Sequence, residues 1–238
     1  MTQDSAAKFD ATRAGEYAQQ SRIALAGYDA CHELSACMLS AALGEAKPAR
    51  VLVVGAGGTA GEIIAAATLE PRWSFVAVDP SQPMLDLARA NIASAGIANR
   101  VEAVPGAVSD LDTSPAFDAA IMIGVLHHLP GDEAKHDILA QIAMRLKPNA
   151  PLVVAGNYRA YASQPVLMAA WANRWRMNGA APEEVRSKMN KILQGAEPPR
   201  SEDDVFALLF GAGFAAPIRF FSSLFWGAWL ARRMSAEK

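Results

Sequence analysis

An apolar run leads straight into clustered glycines and then a helix at VLVVGAGGTAGEI (residues 51–63), and no other stretch of the chain limits the fold as tightly. Gly55, Gly57, Gly58 and Gly61 fall within seven residues. Glycine costs backbone entropy, so this density calls for close backbone approach to a ligand. Asp79 closes the next apolar run, 24 residues after Gly55, where a carboxylate can accept hydrogen bonds from the ribose hydroxyls of an adenosine. Strand, glycines, helix, second strand and terminal acid in this order predict an adenosine site at the carboxyl ends of parallel strands. The string GAGGTA also satisfies a dinucleotide fingerprint, and glycine clusters occur at ordinary strand-to-helix turns, so the loop alone leaves nicotinamide binding open.

The rest of the chain extends this pattern. Short runs rich in β-branched residues at 51–54, 75–78, 101–104, 119–123 and 152–155 alternate with amphipathic stretches, which predicts βαβ units with helices on both faces of a mostly parallel sheet. In SQPMLDLARANIASAG, Pro83 lies near the start, Met84, Leu87, Ala88 and Ile92 recur at helical spacing, and Gly96 marks the stop. Ile138, Leu139, Ile142 and Leu146 form one face of a further helix that breaks at Pro148. Residues 12–43 read as one or two helices placed to act as a lid. After residue 156 two helices follow, then a third whose Ser201 and Asp204 suggest a capping box. The runs IRFF and LFWGAWL, separated by Ser222 and Ser223, predict a tight antiparallel pair at one end of the sheet.

The fold class is therefore α/β, a Rossmann-like, doubly wound sheet of about seven strands with an antiparallel C-terminal strand. Its expected parts are a helical leader (1–48), a cofactor-binding core (49–156), a helical substrate-side insertion (157–215) and a C-terminal strand pair (216–238), all in one domain. Hydrophobic residues make up 52% of the 238 and charged residues 19%, too apolar for disorder. A net charge of −2 without any basic stripe argues against nucleic acid. Cys31 and Cys37, six apart in a helical stretch, fit no zinc spacing and read as free thiols. Neither a signal-peptide core nor an apolar stretch of the roughly 20 residues needed for a membrane span is visible. The expectation is a soluble cytoplasmic protein, monomer or homodimer, without metal or membrane partner.

The same stretches resemble the class I S-adenosylmethionine-dependent methyltransferases over residues 9 to about 156. VLVVGAGGTAGE is similar to their glycine-rich first motif, VAVDPSQPMLDLA to the acidic second-strand motif, FDAAIMIGVLHHLP to the fourth-strand motif, and IAMRLKPNAPLVVAG to the motif leading into strand five. The resemblance implies S-adenosyl-L-methionine as cofactor and S-adenosyl-L-homocysteine as product. Gly55, Ala56 and Gly57 would border the methionine portion and Asp79 would hold the ribose. Pro80 and Met84 would flank the adenine, with the Val108 N–H and Ser109 or Asp110 at its ring edge. Ile123 and Gly124 would close the site from strand four. The leader FDATRAGEYAQQSRIALAGYDA resembles that of a subgroup including carboxy-S-adenosylmethionine synthase, which implies that Tyr28 touches the cofactor. Two positions depart from the family pattern. Val53 stands where an acid usually serves the cofactor's ammonium, leaving carbonyls near Gly55 or Gly124, or Glu62; Ala107 stands where an Asp usually meets the adenine.

His127 and His128 follow strand four directly, where a residue with a pKa of about 6.5 could take a proton from an acceptor. Histidines there can equally pack or hydrogen-bond without chemistry. Twelve of the eighteen aromatic residues lie after residue 150, mostly as core material. Trp171 and Trp175, one turn apart near Met168, Arg174 and Arg176, nevertheless suit a flat or apolar acceptor, and Tyr158 at the end of strand five is a further substrate candidate. Arg13 or Arg22 of the leader could pair with the cofactor's carboxylate. The sequence thus predicts methyl transfer to a small aromatic or apolar acceptor. A non-catalytic cofactor-binding protein, a nicotinamide-dependent oxidoreductase and a carboxy-S-adenosylmethionine synthase-like enzyme stand as alternatives.

Overall fold

A computed structural model describes residues 11–44, 47–114 and 117–235, with the side chains of residues 11–15 and of Ala216 outside that description. Helices α1 (Ala11–Ala24) and α2 (Tyr28–Leu43) precede the first strand. Then come β1 (Ala49–Val54), α3 (Gly61–Leu69), β2 (Trp73–Asp79), α4 (Gln82–Ser94), β3 (Val101–Pro105), β4 (Ala119–Ile123), α5 (Gly131–Arg145) and β5 (Pro151–Asn157). Helices α6 (Pro165–Met177), α7 (Pro182–Gly195) and α8 (Glu202–Gly211) lead to the closing strands β6 (Phe214–Ser223) and β7 (Trp226–Arg233). The sheet has the order β3-β2-β1-β4-β5-β7-β6. The first five strands pair in parallel and β7 runs antiparallel to both β5 and β6.

Period-two alternation sorts the strands' side chains into two layers. Leu52, Val54, Met122 and Val154 face α5 and α8, meeting Leu139, Ile142, Val205 and Leu209. Val51, Val53, Ile121 and Val153 face α2, α3 and α4, meeting Leu39, Ile63 and Ile92. Helix starts follow sequence chemistry: Ser81 accepts the Met84 N–H at 3.4 Å to cap α4, and α6 and α7 each begin at a proline. At α8, Ser201 accepts from the Asp204 N–H at 3.1 Å. The Asp204 carboxylate takes the Arg200 N–H at 3.0 Å, so the reciprocal arm of the expected capping box lands one residue early.

The C-terminal pair needs one correction. Ser222 and Ser223 do not separate the strands; they pair with Gly227 and Trp226 inside β6. The turn is made by Leu224, at φ 51°, and Phe225, because Phe225 is fully buried against Tyr161 and Trp171 and so leaves the ladder. Among the described residues, no helix is long and apolar enough to cross a membrane.

Candidate active site

At the carboxyl ends of the parallel strands lies a cavity of about 480 Å³. Its floor comes from Gly55 and Gly57 after β1, Ile123 and Gly124 at the end of β4, and Asn157 at the end of β5. Trp226 reaches the same rim because β7 runs antiparallel and begins opposite Asn157. The leader supplies Tyr17, Tyr28 and His32, and α6 and α7 supply Trp171, Trp175 and Lys188.

The glycine loop is built for close approach. A Cβ at Gly57 would fall 2.5 Å from Met84 Cβ and 2.6 Å from Asp79 Oδ2. Gly58, at φ 94°, lies under the Tyr17 ring, 2.4 Å from where its own Cβ would be. Asp79 Oδ2 accepts the Gly57 N–H and Oδ1 the Ser81 N–H, each at 2.8 Å. Burial raises the Asp79 pKa and these two donors pull it back. The carboxylate therefore sits under the loop, beside Met84, as an adenosine site requires.

His127 is buried, and its ring stands edge-on to Trp226 with centroids 5.3 Å apart. Its Nδ1 faces the Asn157 N–H at 3.4 Å. An accepting Nδ1 leaves the proton on Nε2, and burial, together with the neighbouring His128 and Lys135, holds the His127 pKa well below the usual value. His127 is thus a neutral ring, poorly suited to gaining a proton, whereas His128 is half-buried and also lines the cavity. On the leader side, the Tyr28 hydroxyl bonds to Thr59, and burial, with the Glu62 charge, pushes its pKa up to about 12.

The insertion clasps the leader. Trp171 Nε1 donates to the Ala24 carbonyl at 2.8 Å, and Arg174 donates to the Ile23 and Arg22 carbonyls, both at 2.9 Å. Trp171 and Trp175, 2% and 5% exposed, are cavity wall and local core at once. Among the described residues, Asn157 Oδ1, Trp175 Nε1 and Trp226 Nε1, all on residues of this wall, are buried with no hydrogen-bond partner. Each such atom costs about 1–3 kcal/mol unless a ligand meets it. Glycine cradle, Asp79 and orphaned polar atoms together fit a bound nucleoside and a second small molecule.

Several sequence-picked residues lie elsewhere. Tyr158 is 1% exposed and packs on Trp229 at 5.0 Å in the layer beneath α5 and α8, with its hydroxyl held by Arg159; strand alternation turns it away from the cavity. Tyr161, bonded to Asn157 Nδ2 at 2.7 Å, lines the wall on the strand-five side. Ala56, Asp79, Pro80, Met84, Val108 and Ser109 are not cavity wall; Ala56, Asp79 and Met84 are buried beneath the loop and Val108 joins the α5-side core. Asp110 closes its own short turn by accepting the Ala107 N–H. Arg22 pairs with Asp29 at 2.8 Å, and the side chain of Arg13 is outside the described residues. Sequence reasoning missed Tyr17, Gln20 and Ser21, whose spacing marks one face of α1 and could have been read as such. It also missed His32, Thr59, Asn157 and Lys188, for which no local signal exists.

Comparison with known proteins identifies residues 52–152 as matching a methyltransferase domain family. No curated protein matches the sequence at a comparable level. Among solved structures, a candidate exported protein from Bordetella parapertussis superposes with a TM-score of 0.64 at 20% identity, covering 86% of this chain and 67% of that one. A candidate O-methyltransferase from Nostoc punctiforme gives 0.65 at 16%, covering 94% and 60%. The S-adenosylmethionine-dependent methyltransferase SibL gives 0.60 at 21%, covering 87% and 56%. The chain thus spans between about half and two thirds of the length of these neighbours. Residues 52–152, which hold the glycine loop and Asp79 within the parallel part of the sheet, thus match a methyltransferase domain.

Proposed function

We propose that the chain moves a methyl group from S-adenosylmethionine to a small acceptor with a flat or apolar face. The observation that carries this reading is one cavity with the glycine loop at one end and aromatic walls with unpartnered polar atoms at the other. S-adenosylmethionine, when bound, supplies an electrophilic methyl on a sulfonium. In this reading the cavity takes the methionine portion against Gly55 and Gly57, and the adenosine lies beyond the cavity wall, its ribose at Asp79 and its adenine beside Pro80, Met84, Val108 and Ser109. Ile123, Gly124 and Tyr28 flank the reacting end.

The acceptor lies between Trp171, Trp175, Tyr161 and Trp226. Its nucleophilic atom forms the new bond to the methyl carbon as the carbon–sulfur bond breaks, which needs alignment above all. A hydroxyl or amine acceptor also sheds a proton, and His128 takes it. His127 acts as a positioning residue that holds the Asn157 backbone and the Trp226 ring. Mass spectrometry of reactions with S-adenosylmethionine and a panel of small aromatic alcohols, amines and thiols tests this. A 14-Da gain on one acceptor class, matched by S-adenosylhomocysteine, is expected; cofactor binding without turnover on any class favours a non-catalytic binder.

A further inference from the structure

The methionine portion of the cofactor carries an ammonium group, and strand β1 offers it no acid. Val53 is 1% exposed, and its side chain is fixed in the apolar layer under α2 and α3, with Ala77 and Ile121 as its register neighbours. On that same side of the sheet a different carboxylate comes forward. Glu62, in the first turn of α3, is 7% exposed and lines the cavity beside Gly55, Gly57 and Thr59. Its Oε2 stands 3.4 Å from His32 Nε2. His32 Nδ1 is 2.7 Å from the Tyr28 carbonyl, which can only accept, so Nδ1 carries a proton. A carboxylate kept out of water with one long ion pair is expensive unless a further cation completes its shell. Of the two lysines on the opposite wall, Lys188 and Lys191, the first is engaged with Glu184 at 3.5 Å and with the Trp175 ring at 4.6 Å.

We propose that Glu62, oriented by His32, receives the ammonium of the cofactor's methionine portion, so that a task usually given to the end of β1 has moved to the start of α3 and the leader helix α2. The inference rests on S-adenosylmethionine as cofactor. It makes His32 a positioning residue: its ring, held by the Tyr28 carbonyl, fixes one carboxylate oxygen and leaves the other for the ligand. It also ties the leader to cofactor choice, because a nucleoside without an amino-acid portion gains nothing from the pair. Carbonyls near Gly55 or Gly124 are the competing acceptors, and they would be indifferent to Glu62.

Calorimetric titration with S-adenosylhomocysteine and with 5′-methylthioadenosine, which shares the adenosine and the thioether but lacks the amino acid, separates these accounts. Glu62→Gln should weaken S-adenosylhomocysteine roughly 10- to 100-fold, the range for hydrogen bonds to charged groups, and leave methylthioadenosine within about twofold of wild type. Glu62→Asp, which keeps the charge on a shorter arm, and His32→Gln should give smaller losses confined to S-adenosylhomocysteine. Wild-type affinity for S-adenosylhomocysteine in Glu62→Gln would overturn the proposal, as would parallel loss of both ligands with a lowered melting temperature in all three variants. Failure of the wild-type chain to bind either ligand would instead overturn the cofactor reading.

Discussion

Asp79 is proposed to do two jobs with one carboxylate: its oxygens hold the Gly57 and Ser81 N–H groups, and in the proposed reading they also accept from the ribose hydroxyls. Asp79→Ala should therefore weaken S-adenosylhomocysteine by about 1.5–3 kcal/mol, read by titration on protein shown to be folded by circular dichroism. His127 makes a prediction of a different kind. Its pKa in the folded chain is held well below the usual value, so below about pH 6.5 the unfolded chain binds a proton that the folded chain refuses. Its contribution to stability is thus present above pH 6.5 and is lost on acidification, by up to roughly 1.4 kcal/mol per pH unit from this residue. His127→Asn should flatten that part of the melting-temperature profile between pH 5 and 7, and an unchanged slope would show that His127 protonates freely. Replacing His128 by Ala should lower kcat while leaving S-adenosylhomocysteine affinity nearly intact. At this scale the sequence is informative where one residue's chemistry is unusual for its place, as with Asp79 or the paired histidines. It is silent on Asn157 and His32, whose roles arise only when β5 and α2 converge on the same rim.

Among the elements, the clasp between α6 and α1 governs how the cavity is closed. Trp171 is buried, but its N–H reaches a carbonyl at the very end of α1, so the insertion holds the leader over the site rather than merely packing behind it. Trp171→Phe keeps most of the apolar contact and removes that hydrogen bond. It should cost about 1 kcal/mol of stability and raise the acceptor KM, with little change in cofactor affinity. Trp175→Ala, which empties a site shared with Ile23 and Val185, is the harsher test. If it lowers the melting temperature by the amount expected for about 3–5 kcal/mol and weakens every ligand alike, the indole is core first and acceptor wall second. Helical periodicity makes these two tryptophans visible in the sequence, and strand alternation should have warned against Tyr158. Asn157 and Tyr158 are neighbours in the chain, so their side chains leave opposite faces of β5, and Asn157 is the one that turns to the cavity.

For the molecule as a whole, the alternation of β-branched runs and amphipathic stretches is enough to read five parallel strands and helices on both faces. The order in which the strands assemble is not local information. The reversal between β1 and β4 puts Gly55 and Gly124 on one cavity floor, and the antiparallel return of β7 brings Trp226 opposite Asn157. That crossing point is where ligands bind in open sheets of this kind. The shared string GAGGTA left two cofactor classes open, and the match of residues 52–152 to a methyltransferase domain favours the sulfur nucleotide. Calorimetric titration of the full chain with S-adenosylmethionine, S-adenosylhomocysteine and the nicotinamide dinucleotides is the most direct test of that choice. Saturable one-to-one binding of both sulfur nucleotides, with NAD and NADP bound at least a hundredfold more weakly, is the expected result, whereas tight NAD binding with no heat from either sulfur nucleotide would contradict it.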